Sequence, residues 1–295
     1  MSVEMNYTLE LPRLTASFRF SGHTDRGAVR RVNEDSFLAA MPLFIVADGM
    51  GGHAHGDRAS QTAIATFVAD IPAGDPSEPQ AIVETVRRAN AAVVALSGAD
   101  DALSGTTLTG LAFVQIGMSG QYHWMVFNVG DSRIYEWDGR RLEQVSVDHS
   151  AVQEMVDAGE ITKIEAERHP HRNVVTRALG ASREVDPDIW LLPARARQRF
   201  LLCSDGLTKE LDDEEIARIM VFHDSQSQTE SDTLPMTLAE RLVNAAVAAG
   251  GSDNVTVIVI ESVLEGVPNS ASGDTDDTVE RESLTSLLED TTPRG

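Results

Sequence analysis

The sequence predicts an α/β (α+β) four-layer αββα sandwich. Two central antiparallel β-sheets are flanked by helix pairs, and a small helical flap subdomain stands apart. Three observations predict it. Short β-branched runs are broken by hairpin-type turns, which favours antiparallel pairing. Two pairs of amphipathic segments are long enough to cover the outer faces of such sheets. A polar, Glu-rich stretch over 152–168 belongs to neither pair.

In chain order, residues 1–17 read as a leader of uncertain order, and strand patterning begins at Phe18. Ser36–Ala40 and Leu43–Ala47 are short apolar runs joined by Met41-Pro42, as in a hairpin. Ala63, Ile64, Phe67, Val68 and Ile71 recur at spacings of three and four, which predicts a helix over 57–71. Ile82, Val86, Ala89, Val93 and Leu96 repeat that pattern after a Pro-, Gly- and Asp-rich break at 72–79. Leu108–Ile116, Tyr122–Val129 and Arg133–Trp137 are rich in β-branched and aromatic residues and read as strands separated by Gly-containing turns. Residues 150–180 form the flap, and Trp190–Cys203 holds two strands split by Pro193-Ala194. Helices follow over Asp213–Met220 and Leu238–Ala249, then a strand over Asn254–Ile260. One domain therefore spans 18–261. Residues 262–295, rich in Ser, Thr, Gly and acids, read as a disordered acidic tail.

Composition narrows the function. The net charge of −22 excludes nucleic acid and anionic membrane as main partners and favours a soluble monomer. The single cysteine, Cys203, forbids an intramolecular disulfide and fits the reducing cytoplasm. It lies in the apolar run Phe200–Cys203 and reads as a small buried hydrophobe. No secretory signal opens the chain, and no apolar run approaches the ~18 residues that span a bilayer.

Four aspartates share a position in the pattern. Asp48, Asp131 and Asp205 each end an apolar strand run, and Asp253 precedes one. One such Asp is an ordinary turn former. In antiparallel sheets, however, the end of one strand and the start of its neighbour lie at the same edge, so the four can converge. Converged carboxylates repel unless a cation neutralises them. Oxygen ligands without Cys or clustered His favour Mg2+ or Mn2+, and several carboxylates suit two ions about 3.5–4 Å apart. The stretch Asp48-Gly49-Met50-Gly51-Gly52-His53 lets backbone approach such ions, so the Gly49 carbonyl is a further candidate ligand. It lacks the Gly-Lys-Ser/Thr ending of a P-loop.

Thr24-Asp25-Arg26-Gly27, Arg30 with Asn33-Glu34-Asp35, Asp48-Gly49-Met50-Gly51-Gly52-His53, Gly105-Thr106-Thr107, Gly130-Asp131-Ser132-Arg133, Ser204-Asp205-Gly206-Leu207 and Asp253-Asn254-Val255-Thr256 stand in one order. With Asp148-His149-Ser150 and Asn173–Gly180, this order resembles that of the bacterial type-2C (PPM family) metal-dependent protein serine/threonine phosphatases, over roughly residues 20–261. The resemblance makes 18–261 a phosphatase catalytic domain acting on phosphoserine and phosphothreonine of other proteins, opposite bacterial serine/threonine kinases. It implies that Asp48 bridges two central Mn2+ or Mg2+ ions with the Gly49 carbonyl as a further ligand, and that Asp205 and Asp253 bind the first ion. Glu34 and Asp35 then sit at the cluster, and Asp131 and Asp205 hold a third ion. Arg30 grips the substrate phosphate, its planar fork matching phosphate oxygens. Attack is in line, by a metal-bridging hydroxide, with no phosphoenzyme. His53 is the candidate acid or substrate-site residue, since Met50 stands where eukaryotic relatives place histidine. Ser104 and Asp57 also depart from the usual pattern. A pseudophosphatase that only binds phosphoproteins is the non-enzymatic alternative, disfavoured by the intact aspartate set. Thr275 and Thr278, set among acids, are candidate phosphorylation sites in the tail.

Overall fold

The computed structural model describes residues 1–12, 14–51, 56–96, 104–117, 121–227 and 236–266. Twelve strands and seven helices are described. The chain begins with β1 (Ser2–Leu11), β2 (Leu14–Asp25), β3 (Asp35–Ala40) and β4 (Leu43–Met50), then α1 (Gly56–Asp70) and α2 (Pro79–Leu96). Next come β5 (Gly105–Thr106), β6 (Leu108–Ile116), β7 (Gln121–Val129), β8 (Arg133–Trp137) and β9 (Leu142–Gln144). The short helices α3 (Ala151–Asp157) and α4 (Lys163–Ala166) precede β10 (Asp188–Pro193) and β11 (Arg197–Cys203). The chain continues through α5 (Asp205–Thr208), α6 (Asp213–Ser227), α7 (Leu238–Ala249) and β12 (Val255–Glu265).

One sheet runs β1-β2-β12-β11-β8-β9 and the other β10-β7-β6-β4-β3, with β5 paired to β4. The strand pairs are antiparallel, as the hairpin-type turns predict. Alternation along each strand sends one row of side chains inward and the next outward. The inward rows meet between the sheets in an aromatic layer, where Trp124 packs edge-on against Phe113 at 5.0 Å and Phe200 at 5.4 Å between ring centroids. The outward rows are covered by helices. Ala59, Ala63 and Phe67 of α1, with Ile82, Val86 and Val93 of α2, close over Ile45, Leu108 and Phe127. Leu242, Val243 and Ala246 of α7, with Ile216 and Met220 of α6, close over Leu201, Val257 and Val259. These three apolar layers make the four-layer sandwich.

Several sequence expectations change. The expected leader is β1 together with the start of β2, because Tyr7, Leu9 and Leu11 alternate inward against the inter-sheet core. The domain does not stop at 261. β12 runs to Glu265, and Leu264 is buried in that core. Val68, placed on the buried stripe of α1, is 58% exposed, because the covered face is the narrower row Ala59, Ala63, Phe67. Residues 267–295, with Thr275 and Thr278, lie outside the described residues.

The flap segment holds α3 and α4, neither of which buries a residue. Each is capped locally, Ser150 accepting from Gln153 N and Thr162 forming a reciprocal box with Glu165. The segment is fastened to the sheets at its base. His149 N donates to the Gly130 carbonyl at 2.9 Å, and the backbones of Thr106 and Leu179 exchange bonds at 3.1 and 2.9 Å.

Candidate active site

The sheets bring five aspartates to one edge. Asp35, first residue of β3, lies opposite Asp48 near the end of β4. Asp131 follows β7, Asp205 opens α5 directly after β11, and Asp253 stands just before β12. The connections between them are short and polar. Thr107 accepts from Asp48 N through its Oγ1 at 3.0 Å, while its own N donates to the Asp48 carbonyl at 2.9 Å. The same hydroxyl lies 2.8 Å from Ser132 Oγ, which couples the Asp48 turn to the Asp131 turn. Ser204 N donates to the Thr256 carbonyl at 3.0 Å, which ties Asp205 to the strand after Asp253.

Asp35 is buried, and its Oδ2 accepts from Ser204 Oγ at 2.8 Å and Thr256 Oγ1 at 2.7 Å. Its Oδ1 has no partner, and neither has the buried Oδ1 of Asp205. A buried, unpartnered carboxylate oxygen is costly. The electrostatics agree. Burial pushes the Asp35 carboxyl up to about 7 despite the two hydroxyl bonds, and the Asp205 and Asp253 charges add to the rise. Burial, with the charges of Asp205 and Asp148, likewise pushes Asp131 up to about 7. Asp48 is driven well above the carboxylate range by burial and then by Asp35, Asp205 and Asp131. An all-oxygen set with orphaned oxygens and mutual repulsion fits hard divalent cations.

Asp253 behaves oppositely. Burial acts to raise its carboxyl, but bonds and charge from Lys209, the Asn254 N–H and the Arg30 charge outweigh it, so it titrates low. Lys209 Nζ lies 2.5 Å from Asp205 Oδ2 and 2.7 Å from Asp253 Oδ2. Arg30 reaches Asp253 from the other side, Nε at 2.8 Å from Oδ1 and Nη2 at 2.9 Å from Oδ2. Among the described residues no three His, Cys, Asp or Glu side chains are gathered in a ligand geometry. The carboxylates share one edge, held there by these cations and hydroxyls.

Glu34 sits on the rim, partly exposed, where burial raises its carboxyl against the Arg30 charge and a bond from the Gly56 N–H at the start of α1. Its carbonyl accepts from Gly49 N at 3.2 Å. Gly49 and Gly56 meet backbone to backbone, and a Cβ on Gly56 would stand 2.9 Å from the Gly49 carbonyl oxygen, so neither position has room for a side chain. Of the sequence candidates, Arg30, Glu34, Asp35, Asp48, Gly49, Asp131, Asp205 and Asp253 are thus placed along one edge, while His53 lies outside the described residues. Sequence reasoning missed Lys209, whose signal is its position four residues after Asp205 on a one-turn helix. It also assigned no role to Asn254. That side chain accepts from Glu34 N at 2.8 Å and donates to the carbonyls of Arg26 and Val32 at 2.9 Å each, which fixes the loop that presents Arg30.

This fold and edge define a class also visible in comparison with known proteins. The sequence pattern of the family described as Protein phosphatase 2C matches residues 22–244. The chain belongs to that family. It is 38% identical over 258 residues to the serine/threonine protein phosphatase PstP of Mycobacterium tuberculosis, covering 86% of this chain and 46% of that relative, so it spans about half the relative's length. It is 33% identical over 252 residues to the serine/threonine phosphatase stp of Listeria monocytogenes, covering 82% of this chain and 94% of the relative. Among solved structures, the catalytic domain of PstP in complex with two manganese ions superposes with a TM-score of 0.68 at 38% identity, covering 84% of this chain and 99% of that one.

Proposed function

We propose that this chain is a metal-dependent phosphoprotein phosphatase that hydrolyses phosphoserine and phosphothreonine in other proteins. The observation that carries the reading is the convergence of Asp35, Asp48, Asp131, Asp205 and Asp253 on one edge, two of them with orphaned buried oxygens. Membership of the Protein phosphatase 2C family and likeness to a manganese-bound relative support it.

In this reading Asp48, the Gly49 carbonyl, Asp205 and Asp253 hold two central Mn2+ or Mg2+ ions, with Glu34 and Asp35 beside them and Asp131 with Asp205 at a third. Such ions supply an activated water and neutralise charge on the phosphoryl group. The protein's own part is positional. Ser204 and Thr256 hold the Asp35 carboxylate, while Thr107 holds the Asp48 backbone and meets the Ser132 hydroxyl beside Asp131. Arg30, with its side chain 47% exposed at the mouth, is free to turn its guanidinium from Asp253 to the substrate phosphate. His53 is the candidate proton donor to the leaving serine or threonine oxygen. Phosphorylated proteins and an opposing serine/threonine kinase are the proposed partners on the strength of the family, the single cysteine supports a cytoplasmic setting, and the net charge of −22 supports a monomer.

The test is hydrolysis of a phosphothreonine peptide with Mn2+, with Mg2+ and with chelator, for wild type and Asp48→Asn. Turnover should require metal and fall at least about 10²-fold in the variant, the scale of losing an electrostatic catalytic group. Turnover that survives chelation would defeat the metal-dependent reading, and well-folded, metal-loaded protein without turnover would favour a phosphoprotein-binding role.

A further inference from the structure

Lys209 engages two of the carboxylates that the proposed metal site needs, and it does so from inside the fold. It caps the C-terminal end of α5, four residues after Asp205, so both side chains share one face of that turn. Its N–H donates to the Asp205 carbonyl at 2.8 Å, which fixes the turn. The turn is clamped on the loop before β12. Gly206 lies so close to the Asn254 carbonyl that no Cβ would fit, and Ser252 N donates to Glu210 Oε1 at 2.8 Å. The ammonium therefore spans two segments, at 2.5 Å from Asp205 and 2.7 Å from Asp253. Its side chain is 24% exposed, against 47% for Arg30 on the same aspartate. Arg30 can swing into solvent or onto a ligand, whereas Lys209 is resident.

We infer that Lys209 is a built-in counter-ion of the site: its ammonium holds Asp205 and Asp253 together and competes with the divalent cation for them. The inference rests on the metal-site reading above and deepens it. Both oxygens of Asp253 are engaged by cationic side chains, Oδ1 by Arg30 and Oδ2 by Lys209 and Arg30. A divalent ion reaching Asp253 must displace one of them. Asp205 keeps a second, unpartnered oxygen for the incoming ion. The competition is therefore concentrated on Asp253. Neutralising position 209 has two linked consequences. The carboxylates lose their internal compensation, so the metal-free fold weakens. The site gains one negative charge, so a cation binds it more tightly.

The experiment is calorimetric titration of Mn2+ into metal-stripped full-length protein, with thermal melts in chelator, for wild type, Lys209→Met and Lys209→Arg. Lys209→Met should bind Mn2+ about tenfold more tightly, on the scale of one unit charge removed beside a partly buried site. It should also melt lower than wild type in chelator, with the gap closing at saturating Mn2+. Lys209→Arg keeps the charge and should track wild type in both readouts. Should Lys209→Met not survive metal stripping, Lys209→Gln purified with Mn2+ and titrated with a competing chelator gives the same comparison. Equal or weaker Mn2+ binding by the neutral variant, or an unchanged melt in chelator, overturns the inference. Absence of Mn2+ uptake by wild type itself is a different result, which removes the metal-site reading and the inference together.

Discussion

The inter-sheet core and the carboxylate edge are built from the same strands a few residues apart, yet they obey opposite rules. Phe44 and Val46 of β4, like Phe200 and Leu202 of β11, are fully buried among aromatic and aliphatic neighbours. Further along β4 comes Asp48, where burial is a cost that pushes the carboxyl towards neutrality, and just past β11 stands Asp205, whose buried Oδ1 has no partner. In the core each residue is stabilised by what it excludes. At the edge each is tolerated because hydroxyls, an ammonium and a guanidinium stand beside it. Truncation should therefore weaken the core, whereas neutralising a buried carboxylate should strengthen the edge of the metal-free protein.

The largest effect belongs to the core. Trp124 is fully buried and packs on Phe18, Phe44, Phe113 and Phe200 with ring centroids 5.0 to 6.3 Å apart. Trp124→Ala removes these contacts and leaves a cavity between two sheets that cannot close over it. Chemical denaturation should show a loss of about 3–5 kcal/mol. A loss under about 1 kcal/mol would mean the sheets collapse into the gap and the aromatic layer does not set their spacing.

The edge should respond with the other sign. Asp35→Asn keeps an oxygen for Ser204 and Thr256 and removes a charge whose Oδ1 has no partner. The folded-state carboxyl is raised from 3.8 to about 7, so the unfolded chain gives up its proton first. The stability that the protonated Asp35 contributes is fully present below the unfolded value and is lost as pH rises through about 7. The metal-free Asn variant should thus match wild type near pH 4 and exceed it by on the order of 1–2 kcal/mol at pH 8. Denaturant melts in chelator across that range provide the check. A variant less stable than wild type at pH 8 would show that the ionised carboxylate is already well compensated.

What the sequence revealed follows the same division. Long periodic signals carried the architecture: helices α1, α2 and α7 and strands β6, β7 and β12 stand where the pattern puts them, apart from the exposed Val68 and the longer β12. Asp48, Asp131, Asp205 and Asp253 were legible because each flanks a run of strand residues, and antiparallel pairing turns that position into proximity. Lys209 was legible only as a partner for Asp205, four residues before it, because its bond to Asp253 spans 44 residues of sequence. β1 was missed although Val3, Met5, Tyr7, Leu9 and Leu11 alternate strictly with Glu4, Asn6, Thr8 and Glu10, the period of a half-buried strand. That alternation marks a strand, but not that it pairs with β2 and packs on the inter-sheet core. Short and one-sided elements are decided by the partner they find, and that partner is not in the local pattern.

The smallest effect tests where core gives way to edge. Cys203 ends β11, two residues before Asp205, and is fully buried in the layer with Tyr135, Leu207 and Val257. Burial there pushes its thiol up to about 12, so the native group is both inaccessible and protonated at neutral pH. An aromatic disulfide reagent should leave native Cys203 unmodified and label it only as fast as the protein unfolds. Labelling at the rate of a free thiol would place the boundary at least two residues further into the sheet than the packing shows. The carboxylate edge would then be a mobile fringe, and Asp205 would owe its position to Lys209 rather than to the strand behind it.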